Sequence, residues 1–247
     1  MPHQHKALSL VAIKIPMQYY SLHCAATKIG RGGYPQAQNI EMEEGRKVTD
    51  EDFVWNLRGD CFPDFQPYIG TLILQKGSAV TDFISAAIIS TGFVCSDKAR
   101  NIIEEHKMGK TKFYELGIKH KETYYSNYQL MHSVNNYVDR VDFDKSVFHI
   151  QRLENNQKIG KIQSIANLEE FIELSKKLSK NTTYGDWQYV VPMTIRFKDN
   201  FQPEHDIFFI WGLTYKTYVS EKLRAAFEKN KVTGIMFDFY GEHTDFE

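Results

Sequence analysis

The chain has 247 residues, room for one large domain or two small ones and for a sizeable core without disulfides or metal. Lysine and arginine number 30 against 31 acids, a formal charge of −1, so charge alone announces neither a nucleic-acid nor a membrane partner. Three widely spaced cysteines, Cys24, Cys61 and Cys95, contain no CxxC pair and fit a reducing compartment better than a disulfide scaffold.

In chain order, Ser9 to Ile15 and Gln18 to Cys24 read as two strands broken at Pro16. No secretory pattern is visible there, because Lys14 interrupts the apolar stretch. Thr27 to Asn39 reads as a loop. Its Gly30-Arg31-Gly32-Gly33 lacks the Lys-Ser/Thr that a phosphate loop requires. Residues 41 to 52 carry six acids and two bases. Thr49 is placed as the cap of a short helix through Phe53, Val54 and Leu57. Gly70 to Gln75 reads as a strand, and Ser78 to Ile88 as a short helix with Phe83, Ile84 and Ala87 on one face. The longest uncharged apolar run, Phe83 to Cys95, is too short to span a bilayer, so a cytoplasmic protein is expected.

Ser96 then opens a helix, with Asp97 next to the positive end of its dipole. Lys107 to Lys121 holds five lysines against Glu115, and tyrosines follow at 124, 125 and 128. Basic plus aromatic residues suit a single-strand nucleic-acid surface. Lysines that blunt an edge strand are the simpler reading. Phe148 to Ile150 and Ile159 to Ile165 are strand candidates around a turn at Glu154 to Gln157. Asn167 caps a helix with the inner stripe Leu168, Phe171, Ile172, Ser175 and Leu178. Trp187 to Phe197 is a strand whose Pro192 demands an edge or a bulge. Ile207 to Thr214 reads as a buried central strand. Ser220 opens a last helix carrying Leu223, Ala226 and Phe227. A strand follows in which Ile235, Phe237 and Phe239 alternate with polar or exposed neighbours.

Shifted by 124 positions, Ser96-Asp97-Lys98-Ala99-Arg100 lies over Ser220-Glu221-Lys222-Leu223-Arg224 without a gap. Two similar serine-capped units, 96–118 and 220–240, are therefore expected. The fold class is α+β, with mostly antiparallel mixed sheets and three to five helices. Residues 1–90 are taken as a β-rich part and 91–247 as an α+β part of one compact unit. These motifs, with Val141-Asp142-Phe143-Asp144 and Val219-Ser220-Glu221-Lys222-Leu223…Thr233-Gly234-Ile235-Met236-Phe237, resemble the immunity proteins of bacterial polymorphic-toxin systems. The nearest are the families numbered eleven and forty-three. The resemblance runs from about Thr91 to Tyr240 and implies a binder of a cognate toxin domain. It implies no enzyme, no metal and no cofactor.

His3 and His5 lie in a terminal tail, and no HExxH or zinc spacing occurs. Glu204-His205-Asp206 and Glu242-His243 lack a third orienting group. Asp142 and Asp144 read as an acid-rich turn. Ser96 and Ser220 lack the GxSxG elbow of a nucleophile and read as helix caps. For a basic toxin surface the candidate contacts are Glu41, Glu43, Glu44, Asp50, Glu51 and Asp52, with Asp238 and Glu242 near the C-terminus. An enzyme of unknown class and a nucleic-acid binder using Lys107 to Lys121 are the alternatives.

Overall fold

In a computed structural model, residues 19–24, 35–152, 158–162, 164–180, 187–199, 201–214 and 216–238 are described. The expected strand at Ser9 to Ile15, the glycine loop at 30–33, the turn at 154–157, and Phe239, Glu242 and His243 lie outside them. In chain order come β1 (Tyr19–Cys24), β2 (Ala37–Glu41), β3 (Thr71–Leu74), β4 (Phe83–Ile84), β5 (Phe93–Ser96), α1 (Asp97–Glu104), β6 (Thr111–His120) and β7 (Thr123–Ser133). Then follow β8 (Val141–Arg152), β9 (Lys158–Ile162), α2 (Leu168–Lys180), β10 (Gln188–Phe197), β11 (Ile207–Phe209), β12 (Thr217–Ser220), α3 (Glu221–Lys229) and β13 (Ile235–Asp238). The class is α+β, and every named strand pair except β3–β6 is antiparallel.

Three sheets carry these strands, in the orders β2-β3-β6-β7-β5-β4, β11-β12-β1-β13 and β10-β8-β9. The last four strands of the first sheet and the four of the second follow one pattern. A short edge strand lies beside the strand that feeds a helix, then a strand from elsewhere in the chain, then the strand that follows the helix. Registers agree as well. Tyr128 of β7 faces Ser96 as Tyr19 of β1 faces Ser220. Ser133 faces Thr111 as Cys24 faces Ile235.

Both helices start on a serine that does two jobs. Ser96 Oγ accepts from Ala99 N at 3.3 Å and donates to Asp82 Oδ1 at 2.9 Å. Ser220 Oγ accepts from Leu223 N at 3.2 Å and donates to Asp206 Oδ1 at 2.6 Å. The second oxygen of each aspartate reaches the chain leaving the other helix. Asp82 Oδ2 accepts from Thr233 N at 2.8 Å, beyond α3, and Asp206 Oδ2 accepts from Lys107 N at 2.9 Å, beyond α1. Two reciprocal carboxylate clasps thus tie each helix start to the opposite helix exit.

Between the clasps lies a shared core. Ala99, Ile102 and Ile103 of α1 join Leu223 and Phe227 of α3, with Phe83, Cys95 and Met131 from one sheet and Leu22, Val219 and Ile235 from the other. Cys95 is fully buried there, and burial pushes its thiol up to about 12, so it is an inert core residue. A second core fills the face of the six-stranded sheet turned away from α1, around Phe53, Leu72, Ile118 and Leu130. A third joins α2 to β8 and β10 through Phe148, Phe171 and Ile195. Asn167 Oδ1 accepts from Glu170 N at 2.9 Å at the start of α2, the capping expected from the sequence. β10 is both an edge strand and irregular between Pro192 and Thr194, because proline cannot donate to a ladder.

Several expectations need correction. Ser78 to Ile88 is no helix: Phe83 and Ile84 form β4, and consecutive side chains enter opposite cores, a period of two. Thr49 caps nothing. The short 3-10 turn is Val54–Asn56, its cap position is Phe53, and no side chain caps it. Ile207 to Thr214 is not a central strand. β11 stops at Phe209 on a sheet edge, and Leu213 N and Thr214 N turn back to Ile210 O at 3.1 and 3.0 Å. β6 is interior, not an edge, since it pairs with both β3 and β7. Asp142 and Asp144 fall within the span of β8, at a register shift opposite Thr194 and Arg196 where Asp142 Oδ1 accepts from Lys145 N at 3.1 Å, so the acid-rich turn is a bulge inside the strand.

The clasp at Asp82 carries a pH prediction. Burial alone would raise its pKa. Hydrogen bonds from Thr233, Ser96 and Lys98 outweigh burial and hold the carboxyl below its ordinary value of 3.8. Stability from this group is therefore fully present above that value and is lost as pH falls through the lower folded-state value. Asp82→Asn is expected to flatten the acid limb of a circular-dichroism unfolding curve. An unchanged acid limb would show that the clasp contributes nothing.

Candidate protein-interaction site

The site forms where the six-stranded sheet outruns its helix. α1 covers one end of the sheet through contacts around Cys95 and Met131. Beyond Phe113 the β6–β7 hairpin continues to a two-residue turn at Lys121 and Glu122, with Lys121 at φ 56°. Parallel pairing sets Thr71 of β3 against Gly117 of β6, and β2 lies beside β3. These neighbours frame an open groove of about 360 Å³ lined by Glu41, Glu43, Tyr68, Glu115, Gly117 and Tyr124, among others.

Tyr124 is 60 % exposed, the most exposed of the large apolar or aromatic side chains described. Its ring lies across Gly117, where a Cβ would come within 2.2 Å of the Tyr124 hydroxyl. A glycine inside a strand is unfavourable by about 1 kcal/mol relative to alanine. Here it leaves room for the ring. Tyr68 is held from the other side: its hydroxyl accepts from Glu43 N at 2.7 Å, and the Arg46 guanidinium stacks 4.1 Å from its ring centroid.

Charge in the 41–52 run is not uniform. Arg46 pairs with Asp52 at 2.7 Å and with Asp50 at 3.5 Å, so those acids are largely offset. Glu41 pairs with Lys119 at 3.1 Å. Glu43, Glu44, Glu51 and Glu115 are exposed, and none has an ion pair among the described residues. Asp238 belongs to β13, opposite Ser21 in the four-stranded sheet, and does not share the sheet that holds Glu41. Glu115, inside the basic stretch of the sequence, and Tyr124, just after it, line this groove beside Glu41 and Glu43. Their nearness to Glu41 depends on sheet pairing that no local pattern reveals.

The competing sites are taken up by structural contacts. His205 Nδ1 shares a 2.6 Å hydrogen bond with the Tyr137 hydroxyl, and Asp206 is committed to Ser220 and Lys107. Lys145 bridges Asp142 at 3.2 Å and Asp199 at 2.7 Å. Ser96 and Ser220 are 4 % and 0 % exposed and each faces an aspartate. Of the tyrosines after the basic stretch, Tyr128 is buried and donates to Thr81 O at 2.8 Å. The stacking row that single strands require is thus reduced. Among the described residues no group of three or more His, Cys, Asp or Glu is arranged to hold a metal ion, and no helix is long and apolar enough to cross a membrane.

No curated protein matches the chain. The Immunity protein family (Imm11) matches it over residues 18–242, from just before β1 to beyond β13, and takes in the three sheets and three helices of the described residues and the groove. The chain belongs to the Imm11 immunity protein family.

Proposed function

We propose that this protein binds a cognate bacterial toxin domain in the cytoplasm and neutralises it by occlusion, without turning over a substrate. Membership of the immunity family carries this reading. The commitment of Ser96, Ser220, His205 and Asp206 to structural contacts supports it. On this reading the two serine-started pieces are copies of one unit and serve as a rigid scaffold. A preformed frame keeps the ordering cost of association low. The contact face includes the acidic surface of Glu41, Glu43, Glu44 and Glu51, which would steer a basic toxin surface toward it.

The test is direct. Cells producing the toxin domain encoded beside this chain should survive only when the chain is co-produced, and the two proteins should co-purify. An interface of ordinary size buries about 800 Å² on each partner. Its association rate should fall as salt rises, because steering is screened. Failure to protect or to co-purify would reject the reading.

A further inference from the structure

We propose that the groove between Tyr124, Glu43 and Glu115 seats an arginine side chain of the bound protein. The inference rests on the immunity reading and adds the chemistry of the contact. Three observations lead to it. First, the β6–β7 hairpin, with strands of 10 and 11 residues, carries this end of the sheet past α1 to the turn at Lys121 and Glu122, where the groove opens.

Second, the groove combines a flat ring with carboxylates that lack internal partners. Lys119 satisfies Glu41, and Arg46 satisfies Asp50 and Asp52, but Glu43 and Glu115 are left unpaired among the described residues. Third, the ring is pre-positioned. Tyr124 rests on Gly117, so its outer face is presented without a rotamer search on binding. A planar guanidinium stacks on a tyrosine face while its donors meet carboxylates at the edge. An ammonium is more strongly hydrated and cannot use the plane. The same pairing of ring and carboxylate already occurs inside the chain, where Arg46 lies over Tyr68 and its Nη2 donates to both oxygens of Asp52 at 2.7 and 2.8 Å.

The test uses the full chain and a blocked tri-arginine peptide, with tri-lysine as control, followed by nuclear magnetic resonance. Saturable shifts are expected at Gly117 and Tyr124, with tri-lysine weaker by about fivefold and Glu43→Gln/Glu115→Gln weaker by about tenfold. Equal binding of tri-lysine, an unchanged double variant, or shifts spread over all acidic residues would overturn the proposal. The same double variant and Tyr124→Leu, each with its melting temperature checked, are then tested against the toxin domain. If the wild-type chain binds the toxin and the folded variants bind within threefold of it, the groove proposal fails and the immunity reading stands. If the wild-type chain does not bind, that reading fails, and the peptide titration alone decides the groove.

Discussion

Asp206→Ala is expected to lower the stability of this protein by about 3 kcal/mol, from one buried and one part-buried hydrogen bond broken and the loss of a charged acceptor. The carboxylate is 6 % exposed and accepts from Ser220 Oγ at 2.6 Å and from Lys107 N at 2.9 Å. Its backbone adds to the same junction: Asp206 N donates to Lys107 O at 2.7 Å, and Ser220 N donates to Asp206 O at 2.9 Å. The backbone pair survives substitution, so the junction should loosen rather than vanish. Lys107 N, however, loses its side-chain acceptor in a part-buried place, which costs about 1 kcal/mol. Asp206→Asn keeps one acceptor oxygen and should lose less than alanine does. Urea unfolding provides the measurement, with Glu44→Ala as an exposed control expected to change stability by less than about 0.5 kcal/mol. A loss no greater than the control would show that the clasp is incidental.

The asymmetry between what local sequence revealed and what it hid has a physical basis. The starts of α1 and α3 were legible at Ser96 and Ser220 because a cap is a short-range device, satisfied within three residues. The fit of α2 to Asn167 and of β10 to Pro192 has the same origin. The aspartates that complete the clasps were not legible as such. Asp82 falls in a stretch that reads as helix, and Asp206 in one that reads as a polar turn beside a strand. Each stands 14 residues before its serine, a spacing the sequence contains, but only the fold shows that it accepts from that serine.

The sheets show the same limit. β1 lies between β12 and β13, about two hundred residues away in sequence, and nothing in Tyr19 to Cys24 specifies that place. β4 was misread because Phe83, Ile84 and Ala87 happen to satisfy a helical spacing. In the fold Phe83 meets Phe227 while Ile84 packs beside Val94 and Leu130. For the candidate site, the charge of the 41–52 run was visible. The neutralising role of Arg46 and the arrival of Glu115 and Tyr124 were not, since both require contacts between separate elements.

Phe227→Ala should lower stability by about 3–5 kcal/mol, more than Asp206→Ala does. Phe227 is 1 % exposed. Its ring meets Phe83 edge-on at 5.6 Å and stacks with Phe237 at 6.3 Å, so it touches strands of both sheets. Alanine would leave a large cavity against side chains fixed by strands and helices, and close-packed surroundings collapse only partly. A drop in melting temperature of roughly 10 °C is expected, at about 2–4 °C per kcal/mol for a domain of this size. The position of the ring also fixes how the damage spreads. Phe227, Leu223, Ile103 and Met131 share one cluster, so amide exchange should accelerate in β5 and β7 as well as in β12 and β13. Acceleration confined to β12 and β13 would mean that the two sheets hold separate cores and unfold separately. Loss of protection in all four strands, with one cooperative transition, is the result that a core shared across the clasps requires.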